Sequence, residues 1–222
     1  MKKMLLCLAM ALCLVTNIAM ADTPAADPEN TLYLDLKDGR VVIQLRPDLA
    51  PNHVARIKEL TKMGFYDGSK FHRVIAGFMA QTGDPTGTGR GGSGTNIKAE
   101  FSGEPFERGT VGMARGPNSN DSADSQFFIC FAQASSLNGQ YTVFGKVTSG
   151  MEFVDKIKKG DPNDNGSVTE PDTVVKMQLA ADADKPKAPD AAAPAPAPAP
   201  DAAKAPAPAP APAPEATPPA KP

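Results

Sequence analysis

Apolar and polar positions along the chain alternate first with period two. Leu32, Leu34 and Leu36 are separated by polar residues, and Val41, Ile43 and Leu45 repeat the pattern in return. Asp38-Gly39 between them predicts a two-residue hairpin turn. Counting across that turn pairs Leu36 with Val41, Leu34 with Ile43 and Leu32 with Leu45, so both apolar sets share one face. After Arg46-Pro47 the spacing becomes helical: Ala50, Val54, Ile57 and Leu60 recur, with Pro51 and Asn52 near the start and Gly64 as a stop. A second helix is predicted over 151–158, with Met151, Val154 and Ile157 inward and Lys156, Lys158 and Lys159 suited to its negative end. Between the helices lie short apolar runs at 70–75, 78–81, 110–113, 125–131 and 141–147, punctuated by Gly and Pro, and a last strand is predicted at 174–179. Many short strands, two helices and abundant Gly predict a mainly β fold, a closed β-barrel with capping helices.

Both ends fall outside this pattern. Lys2 and Lys3 lead into an apolar run from Met4 to Met20, interrupted only by Thr16 and Asn17, and Ala19-Met20-Ala21 offers small residues where a signal peptidase reads. Residues 1–21 are therefore read as a secretory signal, too short for a comfortable membrane span. Residues 22–29 form a linker, and 30–180 the folded domain. Residues 181–222 are read as a tail; from about Ala183 onward they reduce to Ala, Pro, Lys and Asp with balanced charges: Lys185, Lys187, Lys204 and Lys221 against Asp184, Asp190, Asp201 and Glu215. Alternating Pro removes amide donors and restricts neighbours, which predicts a disordered, extended tail serving as a spacer or a solubilising arm.

Charge and cysteines narrow the function. A formal charge of −2 gives no bias toward nucleic acid or an anionic membrane. Cys7 and Cys13 leave with the signal, so Cys130 alone remains and no internal disulfide forms. Its place in Phe127-Phe128-Ile129-Cys130-Phe131 marks a buried structural thiol. The export signal, with no eukaryotic retention tag, points to a bacterial periplasm or to secretion. A monomer with no stable membrane insertion after cleavage is expected.

The chemistry-bearing residues cluster in two blocks. Phe71-His72-Arg73-Val74-Ile75 is followed by Gly77-Phe78-Met79, Gln81 and Gly83-Asp84; farther on come Gly112-Met113-Ala114, Gln126-Phe127-Phe128, Leu137 and Tyr141. Two adjacent strands can put Arg73, Phe78 and Gln81 on one surface. Taken singly, Phe and Met in short strands are core and an Arg is a solvated charge.

Order and spacing change that balance. The first block resembles the cyclophilin signature, and Ser125-Gln126-Phe127-Phe128-Ile129 with Phe144-Gly145-Lys146-Val147 resembles the second block of that family, in register from Leu32 to Leu179. The resemblance implies an eight-stranded antiparallel barrel closed by two helices, with a prolyl isomerase site on its outer face and no metal or cofactor. Carried over by position, Arg73 is the catalytic arginine. Phe78, Met79, Phe128 and Leu137 form the proline pocket, with Tyr141 beside it. Gln81 orients Arg73, Gln126 and the Ala114 backbone hold the substrate chain, and His72 lies alongside. The implied partners are proline-containing segments of exported proteins, whose folding the enzyme assists.

The residue types suit that task. A peptide bond resists rotation by about 18–20 kcal/mol because nitrogen shares its lone pair with the carbonyl. At the twisted transition state the lone pair is localised and can accept from a guanidinium, a permanent planar cation. Three positions depart from the best-known eukaryotic pattern: Ser136 stands where Trp is typical, Tyr141 where His is typical, and Arg115 where Asn is common. The first implies weak cyclosporin binding, and the last bears on substrate preference. A binding module that recognises prolyl segments without turnover is the competing reading, and the tail as the functional part is a third.

One further motif stands apart. Asp161-x-Asn163-x-Asn165-Gly166, with Thr169 and Asp172, matches much of a calcium loop, but Pro162, Asp172 in place of Glu and a following strand favour an Asx-rich turn.

Overall fold

The computed structural model describes residues 27–183. The predicted signal peptide and residues 184–222 of the predicted tail lie outside them. Eight strands form one antiparallel sheet: β1 (Thr31–Leu36), β2 (Gly39–Leu45), β3 (Arg73–Ile75), β4 (Met79–Thr82), β5 (Thr110–Met113), β6 (Phe127–Cys130), β7 (Val143–Ser149) and β8 (Lys176–Leu179). Their spatial order is β3-β4-β6-β5-β7-β2-β1-β8. Helices α1 (Pro51–Lys62), α2 (Met151–Lys156) and α3 (Ala180–Ala183) accompany it. Pro28–Asn30 is a 3₁₀ turn capped by Asp27, and α3 carries regular structure to Ala183.

The expected closed barrel does not form. The sheet curls into a half-barrel whose edge strands β3 and β8 share no ladder. The reason lies in what covers those edges. The backbone of Val74 in β3 donates to Gly166 O at 2.8 Å and accepts from Gly160 N at 2.9 Å, so the loop before β8 occupies the position a closing strand would take. On β8, Met177 N donates to Asp67 Oδ1 at 2.9 Å. Covering an edge with a loop satisfies its backbone groups as well as closure does.

The first hairpin forms with its register moved by two residues. Leu36 pairs with Gly39, Leu34 with Val41 and Leu32 with Ile43, so Lys37-Asp38 is the turn. A two-residue shift keeps every apolar side chain on its face. Gly39 is needed for a different purpose: a Cβ there would fall 2.5 Å from the Phe153 ring, which α2 lays across the start of β2. Helix α1 matches its predicted span and buries Val54, Ile57 and Leu60. Helix α2 stops at Lys156, two residues earlier than predicted, because Ile157 turns extended to reach the core and Lys158 N is taken by Asp172 Oδ2 at 2.8 Å.

The alternation of β6 creates two apolar layers. Phe127 and Ile129 face the main core with Leu32, Leu34, Ile43, Ile57 and Phe144. Phe128 and Cys130 point the other way, into a second cluster with Met79, Phe106, Ala134 and Val143. A strand buried on both faces explains the unbroken apolar run in the sequence. Burial pushes the Cys130 thiol up to about 12.

Residues 83–109 contain no helix or strand, and carboxylates order them instead. Asp84, fully buried, accepts from the backbone amides of Thr86, Thr88, Gly89 and Gly91 and from the Thr86 hydroxyl. Asp124 accepts from Ser93 Oγ and Gly94 N. Glu100 accepts from Asn52 N and His53 N, capping α1 across the sequence. These anchors hold Gly89, Arg90 and Gly91 beside the sheet.

Candidate active site

Register alone assembles the centre of the site. Arg73 faces Gln81 across β3–β4, Gln81 faces Phe128 across β4–β6, and Phe128 faces Gly112 across β6–β5. Four residues from four strands therefore form one row, each step being an interstrand spacing of about 4.8 Å. Gly112 lacks a side chain for a reason: a Cβ there would lie 2.6 Å from Phe106 Cε1 and 2.7 Å from Phe128 Cζ. The Phe106 ring stacks on Phe128, with centroids 5.7 Å apart and planes at 24°.

Beside this row is a pocket of about 140 Å³, lined by the apolar side chains of Phe78, Met79, Ala114, Phe128, Leu137 and Tyr141 and by the polar groups of Arg73, Gln81 and Arg115. Drug-sized sites run to about 300–1,000 Å³, so this one suits a single small ring. Tyr141 meets Phe128 edge to face at 5.9 Å, and the Arg115 guanidinium lies 4.6 Å above the Tyr141 ring. Arg115 also donates to Gln140 O and Gly116 O, which fixes it as a wall between this pocket and a larger one. That neighbouring cavity, of about 510 Å³, includes the polar side chains of Gln81, Arg90, Arg115, Asp124 and Gln126.

The polar groups form a relay. Arg73 Nη1 donates to Gln81 Oε1 at 3.1 Å, Gln81 Nε2 donates to Gln126 Oε1 at 2.8 Å, and Gln126 Nε2 donates to Gly91 O at 2.8 Å and Gly89 O at 3.1 Å. Asn165 completes the set: Arg73 Nε donates to its carbonyl at 3.0 Å and Nη2 to its Oδ1 at 2.9 Å. A guanidinium carries five N–H bonds. Among the described residues three are spent on these amides, leaving one on each Nη. Among the described residues no carboxylate lies within ion-pair distance of Arg73. Burial lowers its pKa from the usual arginine value, opposed by Tyr141, yet an arginine remains a cation throughout the working range.

The four residues expected for the proline pocket, Phe78, Met79, Phe128 and Leu137, line one cavity together with Arg73, Gln81, Ala114 and Tyr141. His72 and Gln126, expected beside the site and along the substrate chain, lie outside that cavity. His72 lies on the far side of Arg73 with Thr88, Gly89, Asp164 and Asn165, and burial lowers its pKa. Gln126 faces the larger cavity, and Ser136 is exposed in the 3₁₀ turn Ser135–Leu137. Phe106 and Asn165 are the participants that sequence reasoning missed. The calcium-like loop spends its oxygens elsewhere: Asp161 on Asn163 N, Asn165 on Arg73, and Asp172 on Lys37 and Lys158 N.

Comparison with known proteins fixes the relationship. The family model for cyclophilin type peptidyl-prolyl cis-trans isomerase/CLD matches residues 31–179. This chain belongs to the cyclophilin family. It is therefore a peptidyl-prolyl cis-trans isomerase. A protein of Brucella suis described as "Probable peptidyl-prolyl cis-trans isomerase" is 57% identical over 176 residues, covering 74% of this chain and 89% of its own length. Peptidyl-prolyl cis-trans isomerase B of Bacillus subtilis is 48% identical over 134 residues, covering 59% of this chain and 92% of its own. Among solved structures, a Hirschia baltica cyclophilin aligns with a TM-score of 0.63 at 27% identity, covering 71% of this cyclophilin and 76% of itself. A Cryptosporidium parvum cyclophilin, solved in the presence of the dipeptide Ala-Pro, aligns with a TM-score of 0.61 at 26% identity, covering 67% and 98%.

Proposed function

We propose that this cyclophilin is exported and accelerates rotation about X-Pro bonds in other exported polypeptides, with Arg73 stabilising the twisted amide. The observation that carries the reading is the pair of Arg73 Nη–H groups that are uncommitted among the described residues, at the rim of a ring-sized pocket floored by Phe78, Met79 and Phe128. A prolyl ring seated on Phe78, Met79 and Phe128 is gripped while the carbonyl side swings. As the amide twists, the lone pair on nitrogen localises and the guanidinium donates to it. That interaction strengthens only on the way to the transition state, which is what lowers a barrier. The ring walls exclude water and raise the worth of the hydrogen bond. No covalent intermediate is required. Export rests on Lys2 and Lys3, the apolar run behind them and the Ala19-Met20-Ala21 site.

Exchange NMR on a short Ala-Pro peptide, with mature protein and with Arg73→Ala, tests the chemistry. Acceleration by the first and not the second supports it; binding without acceleration by either turns the site into a recognition module. Mass spectrometry of the protein recovered from a periplasmic fraction tests export, with an N-terminus at Asp22 expected and an intact Met1 contradicting it.

A further inference from the structure

The loop that resembles a calcium site by sequence has its asparagine on the arginine instead. Asn165 is one of two non-glycine residues at positive φ among the described residues, at +48°. In that left-handed conformation its carbonyl and its own Oδ1 both reach one guanidinium, taking Nε at 3.0 Å and Nη2 at 2.9 Å. Asparagine tolerates this backbone better than most residues because its short amide can bond locally. The loop around it is fixed independently of the side chain. Asp161 caps the turn Pro162–Asp164, Gly166 N bonds Asp161 O at 2.8 Å, and Gly166 O accepts from Val74 N at 2.8 Å. Gly166 itself has no room for a Cβ, which would meet Ile75 at 2.5 Å.

We infer that Asn165 is a positioning residue for the isomerase reaction: a neutral clamp that aims Arg73 without offsetting its charge. The inference rests on the catalytic reading of Arg73. Gln81 holds one Nη from the sheet side, and Asn165 holds Nε and the other Nη from the loop side. Both clamps are amides. A carboxylate in either place would hold the guanidinium equally well, but its negative charge would oppose donation to the twisted nitrogen. Orientation and undiminished charge are thus supplied together.

Two substitutions in the full chain test this, with Arg73→Ala as the reference. Asn165→Gly keeps the left-handed backbone and its carbonyl while removing Oδ1. Asn165→Asp keeps both acceptors and adds a charge. NMR lineshapes of an Ala-Pro peptide over a range of concentrations give kcat and KM for each. The expected result is a kcat about fivefold lower for Asn165→Gly and at least as low for Asn165→Asp. KM should stay within about twofold and the melting temperature should hold within a few degrees. A purely structural residue would be replaced well by Asp. Full activity in Asn165→Asp, or in Asn165→Gly while Arg73→Ala is inactive, overturns the inference alone. Full activity in Arg73→Ala removes the catalytic reading and the inference with it. The Arg73 Nε–Hε resonance is an activity-independent check on each variant: in Asn165→Gly it should shift and broaden as the guanidinium gains freedom, and an unchanged signal counts against the clamp.

Discussion

Arg73 and Gln81 are direct partners in the β3–β4 register, and Arg73 Nη1 donates to Gln81 Oε1 at 3.1 Å. Sheet pairing therefore sets the orientation of the guanidinium, and Gln81 passes the constraint to Gln126 at 2.8 Å. Gln81→Ala should lower kcat about five- to tenfold, the cost of roughly 1–1.5 kcal/mol of lost hydrogen bonding, with little change in KM. Peptide lineshape analysis measures both; a large rise in KM at unchanged kcat would place Gln81 in substrate binding instead.

Gly112 determines how far Phe128 sits back from the pocket. Gly112→Ala puts a Cβ within 2.7 Å of both Phe106 and Phe128, in a fully packed cluster. Overpacking of this kind costs about 1–3 kcal/mol. Urea unfolding should show that loss, and KM should rise because the displaced Phe128 ring narrows the pocket.

Acid should loosen the segment after β4. Burial alone would raise the Asp84 pKa, but hydrogen bonds from the Thr86 hydroxyl and the amides of Thr86, Gly91 and Gly89 hold it at about 2, against an ordinary 3.8. A carboxylate whose folded pKa is depressed contributes stability above its unfolded value and loses it as pH falls toward the folded one. The contribution is about 2 kcal/mol, present at pH 7 and lost between about pH 4 and pH 2. Wild type minus Asp84→Asn in urea unfolding should show a gap that shrinks over that window. A gap independent of pH would contradict it.

Cys130 is fully buried, and burial pushes its thiol up to about 12. A thiol reagent at pH 8 should leave the folded protein unlabelled and react fully in urea. Fast labelling of the folded chain would mean that the second apolar cluster opens.

Much of this was readable from the chain, and the exceptions share a cause. Period-two alternation found β1 and β2, and helical spacing found α1, because each pattern reports one local burial direction. The turn between β1 and β2 was misplaced because Gly39 has two plausible uses, and its second, clearance for Phe153, depends on a helix more than a hundred residues later. Barrel closure was overestimated because nothing local shows that the 160–168 loop lies along β3. The same contact hid Asn165, separated from Arg73 by 92 residues. Asn165-Gly166 could be read as a turn; its contact partner could not. The pocket residues were legible through family spacing, whereas composition alone would have assigned them to the core, and Met79 and Phe128 are indeed buried there as well as lining the pocket.

The most direct test of the account compares Arg73→Lys and Arg73→Ala with wild type in Ala-Pro exchange NMR, with peptide affinity measured alongside. Lysine keeps the charge but not the planar donors held by Gln81 and Asn165. Both variants should bind peptide within a fewfold of wild type while kcat falls by at least about a hundredfold in Arg73→Ala and nearly as far in Arg73→Lys. Near-wild-type turnover in Arg73→Ala would contradict the catalytic role of Arg73.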